Sequence, residues 1–320
     1  MKTKLVYVLV SSKKDVYLEQ FFVSSYSAKY HMPDCHITLL VDEVTKDGFT
    51  DIREKELTFV DELIAVPIDR SLSPKLRSRI LKTSSRKYIS GNFLFIDTDT
   101  IVAKPFPKDF FENLKGSIYA CYDSHSMFKE NPYRKMCLNH GKLLNWPIEE
   151  QEFYYNSGVL FVKDNNESRD FFDRWSENWL LGKEKGVFMD QPSFAKTNYE
   201  MNNIVNALDD VWNCEFKHGI KFFHDAYIIH YLFTNSFVDD VQPFAFKDSS
   251  VFNQIKKTGS IPPIIKEYVN KPSTAIPNLT TIVSGTDVPL VNSNIYRLMK
   301  KIYKHKLLFR IIDRISYSLS

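Results

Sequence analysis

Two carboxylates separated by one residue, Asp97 and Asp99, stand between the apolar runs 93–96 and 101–102. An apolar run of this length predicts a buried strand of a parallel sheet, and open α/β sheets bind ligands beyond the carboxyl ends of their strands. An extended strand end would aim both carboxylates to the same side, with Thr98 pointing away. Such oxygen ligands suit a hard divalent cation that keeps room for substrate phosphates. The spacing therefore predicts a metal–diphosphate site.

The same residues fit a second chemistry, because Asp-x-Asp followed by Ile or Val also resembles the nucleophile motif of haloacid-dehalogenase-type phosphatases. In that family Asp97 would attack phosphorus and Asp99 would act as the general acid. Such enzymes usually carry the motif near the chain start, and they need a later Lys and a later acidic pair. Asp239 and Asp240 are the candidate pair, and no matching Lys-containing segment lies between. A third interpretation is that two solvated Asp residues end the strand.

Strand-like and helix-like segments alternate along the first 235 residues, and this order predicts an α/β fold with a mostly parallel central sheet flanked by helices. The predicted strands are 5–10, 36–41, 63–66, 93–96, 116–122, 154–162 and 226–233, and the predicted helices are 15–30, 75–88, 167–181 and a run that begins at Asp190. Residues 1–245 are predicted to form the main domain. Residues 246–291, interrupted by five prolines, are predicted to form an irregular layer or lid, and residues 292–320 a basic amphipathic helix.

The composition is that of an ordinary globular protein, with 43% hydrophobic and 25% charged residues. Residues 292–320 carry seven Lys or Arg against one Asp, so the net charge of +3 leaves 3 − 6 = −3 for the rest. This distribution argues against a general nucleic-acid-binding protein. Four scattered cysteines without zinc-site spacing favour a reducing cytoplasm. No apolar run approaches the ~20 residues of a membrane-spanning helix, and no cleavage pattern follows the first strand.

Four motifs in order resemble those of retaining glycosyltransferases of the GT-A fold: the Asp-x-Asp run, Asn156-Ser157-Gly158, Asp190-Gln191 and His230. The likeness is greatest to glycosyltransferase family 8, which includes bacterial galactosyl- and glucosyltransferases that build lipopolysaccharide outer cores. The likeness covers about residues 1–235. It implies a GT-A fold and a metal-dependent enzyme that moves a hexose from a nucleotide sugar to a hydroxyl of a surface glycan, with retention of configuration.

The resemblance assigns a metal site to Asp97, Asp99 and His230, which would bind Mn²⁺ or Mg²⁺ and, through the ion, a nucleotide diphosphate. The expected donors are UDP-glucose and UDP-galactose. A lone His in an apolar strand also fits a core histidine, although imidazole is a suitable ligand for Mn²⁺. Family members usually follow this His with a Gly and a Lys-containing stretch that contacts the phosphates, and residues 231–236 contain no Lys. Lys247 or a residue of the basic helix 75–88 is the candidate substitute.

Further residues take roles from the same resemblance. Arg79 would face the diphosphate or the donor sugar, a task that suits a planar guanidinium, and it also fits a solvated helix face. Asp190 would bind hydroxyls of the donor sugar, or cap a helix, while Gln191 would lie beside the anomeric carbon. Asn156 is expected to act with them in catalysis. The other residues expected to hold donor or acceptor are Ser11, Asp15, Tyr17, Thr98, Asp123, Ser157 and Gly158.

Three alternatives stay open at this point. An inverting enzyme would need a carboxylate base, for which Asp123 and Glu152 are candidates. A module that binds nucleotide sugars without turnover is the non-enzymatic alternative, favoured by the missing Lys after His230. The basic tail 292–320 fits a packed helix, or a helix that lies on anionic lipid with its apolar side chains inserted. The second role suits a lipid-linked acceptor and a location on the cytoplasmic face of a membrane.

Overall fold

The computed structural model of the protein describes residues 3–232, 245–247, 249–277, 288–291 and 293–317. The chain forms two compact units, one made of Met1–Leu232 with Phe244–Ala275 and the other of Phe233–Pro243 with Ile276–Ser320. The strands are β1 Lys4–Leu9, β2 His36–Asp42, β3 Glu62–Val66, β4 Phe93–Ile96, β5 Thr100–Val102, β6 Ile118–Tyr122, β7 Tyr155–Val162, β8 Val205–Ala207, β9 Cys214–Glu215 and β10 Ile228–His230.

Helices follow or separate most of these strands. In the first unit they are α1 Tyr17–His31, α2 Glu43–Asp47, α3 Ile52–Lys55, α4 Pro74–Thr83, α5 Arg134–Leu144, α6 Asn166–Glu184, α7 Gln191–Glu200, α8 Ser249–Thr258 and α9 Pro263–Asn270. In the second unit they are α10 Val288–Val291, α11 Asn294–Tyr303 and α12 Lys306–Tyr317. Within these described ranges, no helix is both long enough and apolar enough to cross a membrane.

The central sheet has seven strands in the order β3-β2-β1-β4-β7-β6-β8. Strands β3, β2, β1 and β4 run parallel to one another. Strand β7 is antiparallel to both β4 and β6, and β8 is parallel to β6. The predicted α/β class with a mostly parallel sheet is therefore confirmed. Parallel strands place their carboxyl ends at one edge, where polar residues can converge.

The structure corrects the predicted strand 226–233. Only Ile228–His230 is extended, and this β10 does not join the central sheet. It pairs instead with β5 and β9 in a separate three-stranded sheet, where His230 lies opposite Thr100 of β5 and Glu215 of β9. Residues Ile228–His230 are thus buried in a small sheet, whose strand β5 begins directly after the Asp-x-Asp pair. Periodicity alone does not assign a strand to one sheet or another.

The predicted helix 75–88 is also shorter than expected, since α4 ends at Thr83. The hydroxyl of Ser84 donates to the carbonyl of Ile80 at 2.6 Å, the kind of local bond by which serine competes with helix propagation. The segment predicted as irregular contains α8 and α9, with Pro262 and Pro263 at the start of α9, where proline is tolerated. In the basic C-terminal segment the described residues form two helices, α11 and α12.

Two apolar layers cover the central sheet, because successive residues of a strand point to opposite faces. On β1, Leu5, Tyr7 and Leu9 pack in one layer and Val6 packs in the other. Aromatic rings close the second layer, and they come from α6 and α7: Phe171, Phe172, Trp175 and Phe194. The aromatic residues that stand out in the sequence thus include the rings that hold these helices on the sheet.

Three basic residues of α4 and the following turn, Arg77, Lys82 and Arg86, are buried rather than solvated. Arg77 pairs with Asp42 at 2.7 Å, and Arg86 pairs with Asp164. The side chain of Arg77 is 8% exposed and that of Arg86 is 1% exposed. Buried charges of this kind require partners, so α4 is held to the sheet by ion pairs as well as by apolar contacts.

Trp175→Ala should lower the free energy of unfolding by about 3–5 kcal/mol, because it removes a fully buried indole. The indole Nε1 also donates to the carbonyl of Asp190 at 3.0 Å, so α6 fixes the start of α7. Urea unfolding followed by circular dichroism measures the loss. Glu177→Ala, on the exposed face of the same helix, should change stability by no more than about 0.5 kcal/mol. Equal effects of the two changes would contradict this account of the core.

Candidate functional site

The connection between β4 and β5 carries the Asp-x-Asp pair at the carboxyl end of β4. The amide of Asp97 donates to the carbonyl of Gly158 at 2.8 Å, and the hydroxyl of Thr100 donates to the carbonyl of Asp97 at 2.8 Å. His230 lies opposite Thr100 in the small sheet. Ligand atoms of Asp97, Asp99 and His230 consequently lie within 4.8 Å of one another. The structure thus brings the three predicted metal ligands together.

These three side chains form a donor set that fits a divalent cation. Two carboxylates and one imidazole suit Mn²⁺, which accepts both oxygen and nitrogen ligands. Burial raises the pKa of Asp97, and the neighbouring Asp99 carboxylate raises it further, against the opposing effect of Lys82. A bound cation would oppose both effects by favouring the ionised form.

Gly158 is required by the imidazole. A Cβ atom at this position would lie 2.4 Å from Cε1 of His230, closer than side chains pack. The amide of Gly158 donates to Oδ1 of Asn156 at 2.8 Å, within the buried strand β7. The polar triplet 156–158 therefore admits the histidine ring and anchors the hydrogen bonds around it.

A directional chain of hydrogen bonds runs from Gln191 to His230. Nε2 of Gln191 donates to Oδ1 of Asp123 at 2.8 Å, and Nδ2 of Asn156 donates to the same oxygen at 3.3 Å. Oδ1 of Asn156 then accepts from Nδ2 of Asn213 at 3.0 Å. Oδ1 of Asn213 faces Nδ1 of His230 at 3.0 Å. The chain links the residue expected beside the anomeric carbon to a predicted metal ligand.

The direction of this chain follows from Asp123, because an ionised carboxylate can only accept hydrogen bonds. Asn156 must therefore turn its NH₂ group to Asp123 and its oxygen to Asn213. Asn213 in turn presents its oxygen to His230, so Nδ1 of the imidazole donates to it. Nε2 lies 3.2 Å from Oδ1 of Asp99, which can only accept, so Nε2 donates to that carboxylate here, and a bound cation would take the place of the proton on Nε2.

Asp190 lies at the centre of a buried charge cluster. Its oxygens form ion pairs with Nε of Arg79 at 3.0 Å and with Nζ of Lys82 at 3.1 Å, and they accept a hydrogen bond from the hydroxyl of Ser157 at 2.9 Å. Burial alone would raise the pKa of Asp190, but Arg79, Lys82 and Ser157 together hold it below its usual range. Asp190 is the N-cap residue of α7 by position, but its carboxylate makes no capping hydrogen bond and accepts from Ser157 of β7 instead.

Lys82 is a residue of the basic helix 75–88 that the sequence analysis offered as a source of positive charge but did not single out by number. Its Nζ lies 3.0 Å from Oδ1 of Asp97 and 3.1 Å from Oδ2 of Asp190, with only 5% of the side chain exposed. It therefore joins the carboxylate of the Asp-x-Asp pair to the carboxylate beside Gln191. The available signal was its spacing of three residues from Arg79, which puts both cations on one face of α4.

The loop between β1 and α1 holds the residues expected at the nucleotide. Asp15 accepts from the hydroxyl of Ser11 at 2.7 Å, from the amide of Ser12 at 2.8 Å and from the amide of Tyr17 at 3.2 Å, so its carboxylate organises the loop itself. Arg53, which the sequence analysis did not single out, donates to the hydroxyl of Ser11 at 3.0 Å.

Tyr17 is 41% exposed at the start of α1. Burial of its phenol raises the pKa of Tyr17, the carboxylates of Asp15 and Asp99 raise it further, and Arg79 opposes them. Thr98 is half-buried between the two Asp residues. The side chain of Lys247 and residues Asp239 and Asp240 lie outside the described part of the chain.

No protein-family model matches the chain, and no curated protein matches it at a significant level. Solved structures do match. A galactosyltransferase, LgtC, solved in complex with donor and acceptor sugar analogues, is 16% identical, and the match covers 83% of this chain and 99% of that one with a TM-score of 0.50. The chain has the GT-A fold.

Two further structures are similar over much of their length. Mouse xyloside xylosyltransferase 1 in its apo form is 14% identical, with 72% of this chain and 97% of that chain covered and a TM-score of 0.46. The glycosyltransferase GlyE of Streptococcus pneumoniae TIGR4 is 16% identical, with 88% and 66% covered and a TM-score of 0.48. The fold assignment rests on the match to the galactosyltransferase and on the sheet topology.

Lys82→Gln should lower the free energy of unfolding at pH 7 by about 3–5 kcal/mol, because it leaves Asp190 and Asp97 without their shared cation in a buried place. The matched control is Lys87→Gln. Lys87 pairs with Asp173 at 3.1 Å, but the side chains are 52% and 53% exposed, so the loss should stay within about 1 kcal/mol. Urea titration of both variants measures the difference, and similar losses would contradict a buried bridging role for Lys82.

The lowered pKa of Asp190 predicts a pH dependence. A carboxyl whose folded-state pKa is below its unfolded value of about 3.9 stabilises the fold above that value, and the contribution is lost as pH falls through the folded pKa. Asp190→Asn should therefore be less stable than the natural chain at pH 7, and the difference should shrink below about pH 4. Denaturant unfolding between pH 3 and 7 measures both curves. Parallel curves over this range would contradict the ion-paired state.

Proposed function

We propose that this chain is a metal-dependent glycosyltransferase that moves a hexose from a UDP-linked donor to a hydroxyl of a surface glycan. The observation that carries the proposal is how two groups of polar residues are arranged within a GT-A fold. Asp97, Asp99 and His230 converge at the carboxyl end of β4, and the buried Asp190–Gln191 pair is joined to them by Lys82 and by the hydrogen-bond chain from Asp123.

Asp97, Asp99 and Nε2 of His230 would hold Mn²⁺ or Mg²⁺, with the imidazole favouring Mn²⁺. When bound, such an ion neutralises the charge that develops on a leaving diphosphate. The chain's own cations add to this field. Arg79 is held by Asp190, whose carboxylate raises the pKa of Arg79 and keeps the guanidinium charged. Lys82 and Arg79 take the place that the missing Lys after His230 would fill.

The residues of the Asp190 cluster are proposed to orient the donor sugar. Asp190 is kept ionised by Arg79 and Lys82, so it can accept hydrogen bonds from sugar hydroxyls. Gln191 donates its NH₂ group to Asp123, which leaves its carbonyl oxygen for the positive character of an oxocarbenium-like anomeric carbon. Preorganised partners of this kind cost no reorganisation during the reaction.

The surroundings of Asp123 support retention of configuration over inversion. Its Oδ1 accepts from Gln191 and Asn156, and its Oδ2 accepts from Nδ2 of Asn131 at 2.8 Å. A carboxylate whose two oxygens already accept from three amide donors has little lone-pair capacity left for the proton of an acceptor hydroxyl. The other candidate base, Glu152, is exposed.

A module that binds nucleotide sugars without turnover is the second candidate, and the absence of a Lys from residues 231–236 is what favours it. Lys82 weakens that argument, because it supplies a buried cation to Asp97 from α4. The phosphatase alternative rests on Asp239 and Asp240, which lie outside the described residues. The GT-A topology and the Asp190–Gln191 pair favour sugar transfer over phosphate release.

The decisive test is a thermal-shift panel of UDP, GDP, CMP, UDP-glucose and UDP-galactose with Mn²⁺. A ligand that binds only the folded chain raises the melting temperature by mass action, by an amount that corresponds to about 2.7 kcal/mol at one hundred times its dissociation constant. We expect stabilisation by UDP and a UDP-sugar. The stabilisation should disappear with EDTA and with Asp99→Ala.

Turnover separates the candidates, because a transferase releases UDP from its donor and a binding module does not. Asp109→Ala is the matched control for Asp99→Ala, since Asp109 follows β5 in the chain and does not belong to the group of predicted metal ligands. It should keep the full nucleotide response. If none of the nucleotides stabilises the chain, the proposed function is contradicted. Phosphate release is then the activity to assay.

The acceptor is proposed to be a glycan on a lipid-linked carrier, reached at the cytoplasmic face of a membrane through α11 and α12. These helices leave apolar side chains exposed, including Ile295 at 69%, Leu298 at 57%, Leu307 at 75% and Ile311 at 49%. The same segment 292–320 carries seven Lys or Arg against one Asp. Exposed apolar residues beside basic residues suit an anionic lipid surface.

Substituting Leu307, Ile311 and Ile315 together by Ser in the full chain should reduce binding to vesicles with anionic lipid by about tenfold or more, because three exposed apolar side chains are no longer available to enter the lipid. Flotation measures the bound fraction. Leu180→Ser with Leu181→Ser, on exposed positions of α6, is the matched control and should bind as the natural chain does. Equal flotation of the triple variant and the natural chain would contradict the membrane role.

A further inference from the structure

The turn that follows β6 has an unusual backbone. Ser124 and His125 both have positive φ values, 55° and 52°, in the left-handed region that favours glycine. Neither residue is glycine, and a side chain in this region is a source of strain that persists only where neighbouring groups hold it. The turn comes directly after Asp123, the carboxylate that orients Gln191 and Asn156.

Reciprocal hydrogen bonds to Glu215 of β9 hold this turn. The amide of Ser124 donates to Oε1 of Glu215 at 3.0 Å. The amide of Glu215 donates in return to Nε2 of His125 at 2.9 Å. Glu215 is 2% exposed, so each of these bonds is shielded from water. The two contacts clamp the backbone on one side and the imidazole on the other.

Three further neighbours fix the ring of His125. Nδ1 pairs with Oδ1 of Asp210 at 3.0 Å, and the ring of Phe222 lies 5.0 Å away between centroids. Gly219 approaches so closely that a Cβ there would lie 2.5 Å from Nε2 of His125. A glycine at position 125 would adopt the same backbone more easily. The left-handed backbone alone therefore does not explain why position 125 is a histidine, and the imidazole must contribute through its contacts.

We propose that Glu215 and His125 are positioning residues that hold Asp123 where its carboxylate orients the Gln191 amide. The strand pairing supports this role, because Glu215 lies opposite His230 in the small sheet. One pair of strands therefore presents both a predicted metal ligand and the residue that clamps the Asp123 turn. The role of the clamp in catalysis rests on the proposed glycosyl transfer. The orientation that the clamp imposes on the Gln191 side chain does not depend on that proposal.

The test is the side-chain NH₂ signal of Gln191 in the full chain without any ligand. The chain has only five glutamines, at positions 20, 151, 191, 242 and 254, so selective ¹⁵N labelling gives few signals. Loss of one pair of signals in Gln191→Glu assigns it. In the natural chain we expect this amide to be protected from solvent exchange by its bond to Asp123.

Two variants release the clamp in different ways. Glu215→Ala removes the acceptor for the Ser124 amide, and Gly219→Ala pushes on His125 without deleting any polar group. Each should move the Gln191 signal and speed its exchange by about tenfold, the effect of losing one hydrogen bond to a charged group. Glu215→Gln keeps the Oε1 acceptor and should restore the natural signal. Val162→Ala, a buried change at the far end of β7, controls for general loss of stability.

An unchanged Gln191 signal in Glu215→Ala and in Gly219→Ala, with core methyl signals showing a folded chain, would overturn the proposal. Failure of Glu215→Gln to restore the signal would also overturn it. If nucleotides fail to bind while the Gln191 signal responds as expected, the clamp stands and the proposed function falls. If the chain transfers sugar, releasing the clamp should lower kcat by about tenfold or more with a smaller change in donor KM.

Discussion

The acceptor-only carboxylate of Asp123 is the constraint on which the candidate site depends. It cannot donate, so the amides of Gln191 and Asn156 must both turn their NH₂ groups toward it. Each following bond then has one possible direction as far as the imidazole of His230. A single charged group consequently sets both the direction in which the Gln191 amide points and the ring nitrogen of His230, Nε2, that is turned to Asp99. Buried networks of this kind stabilise a unique arrangement only when each member is satisfied.

The second constraint is electrostatic. Asp190 is buried and Asp97 is half-buried; Lys82 of α4 pairs with both carboxylates, and Arg79 of the same helix pairs with Asp190. The helix itself is anchored by buried ion pairs on either side, Arg77 with Asp42 and Arg86 with Asp164. A charged helix packed against the carboxyl ends of parallel strands thus supplies fixed positive charge where a diphosphate is proposed to bind.

Much of the fold could be predicted from the sequence because it is encoded locally. The apolar runs predicted β1, β2, β3 and β4, and the short spacing of Asp97 and Asp99 predicted that their carboxylates share a side. Contacts between distant segments could not be predicted in this way. The pairing of Lys82 with Asp190, the place of Asn213 between Asn156 and His230, and the transfer of β10 to a separate sheet depend on tertiary packing. Asn213 stands between Trp212 and Cys214 with no local pattern to mark it.

The central claim is that Asp97, Asp99 and His230 hold a divalent cation at this edge of the sheet. Crystals grown with Mn²⁺ and UDP, with diffraction recorded at the manganese absorption edge, test it directly. The account predicts one strong anomalous peak bonded to a carboxylate oxygen of each Asp and to Nε2 of His230, with diphosphate oxygens completing the coordination. A well-ordered nucleotide with no anomalous peak at these three residues, or with the peak elsewhere, would contradict it.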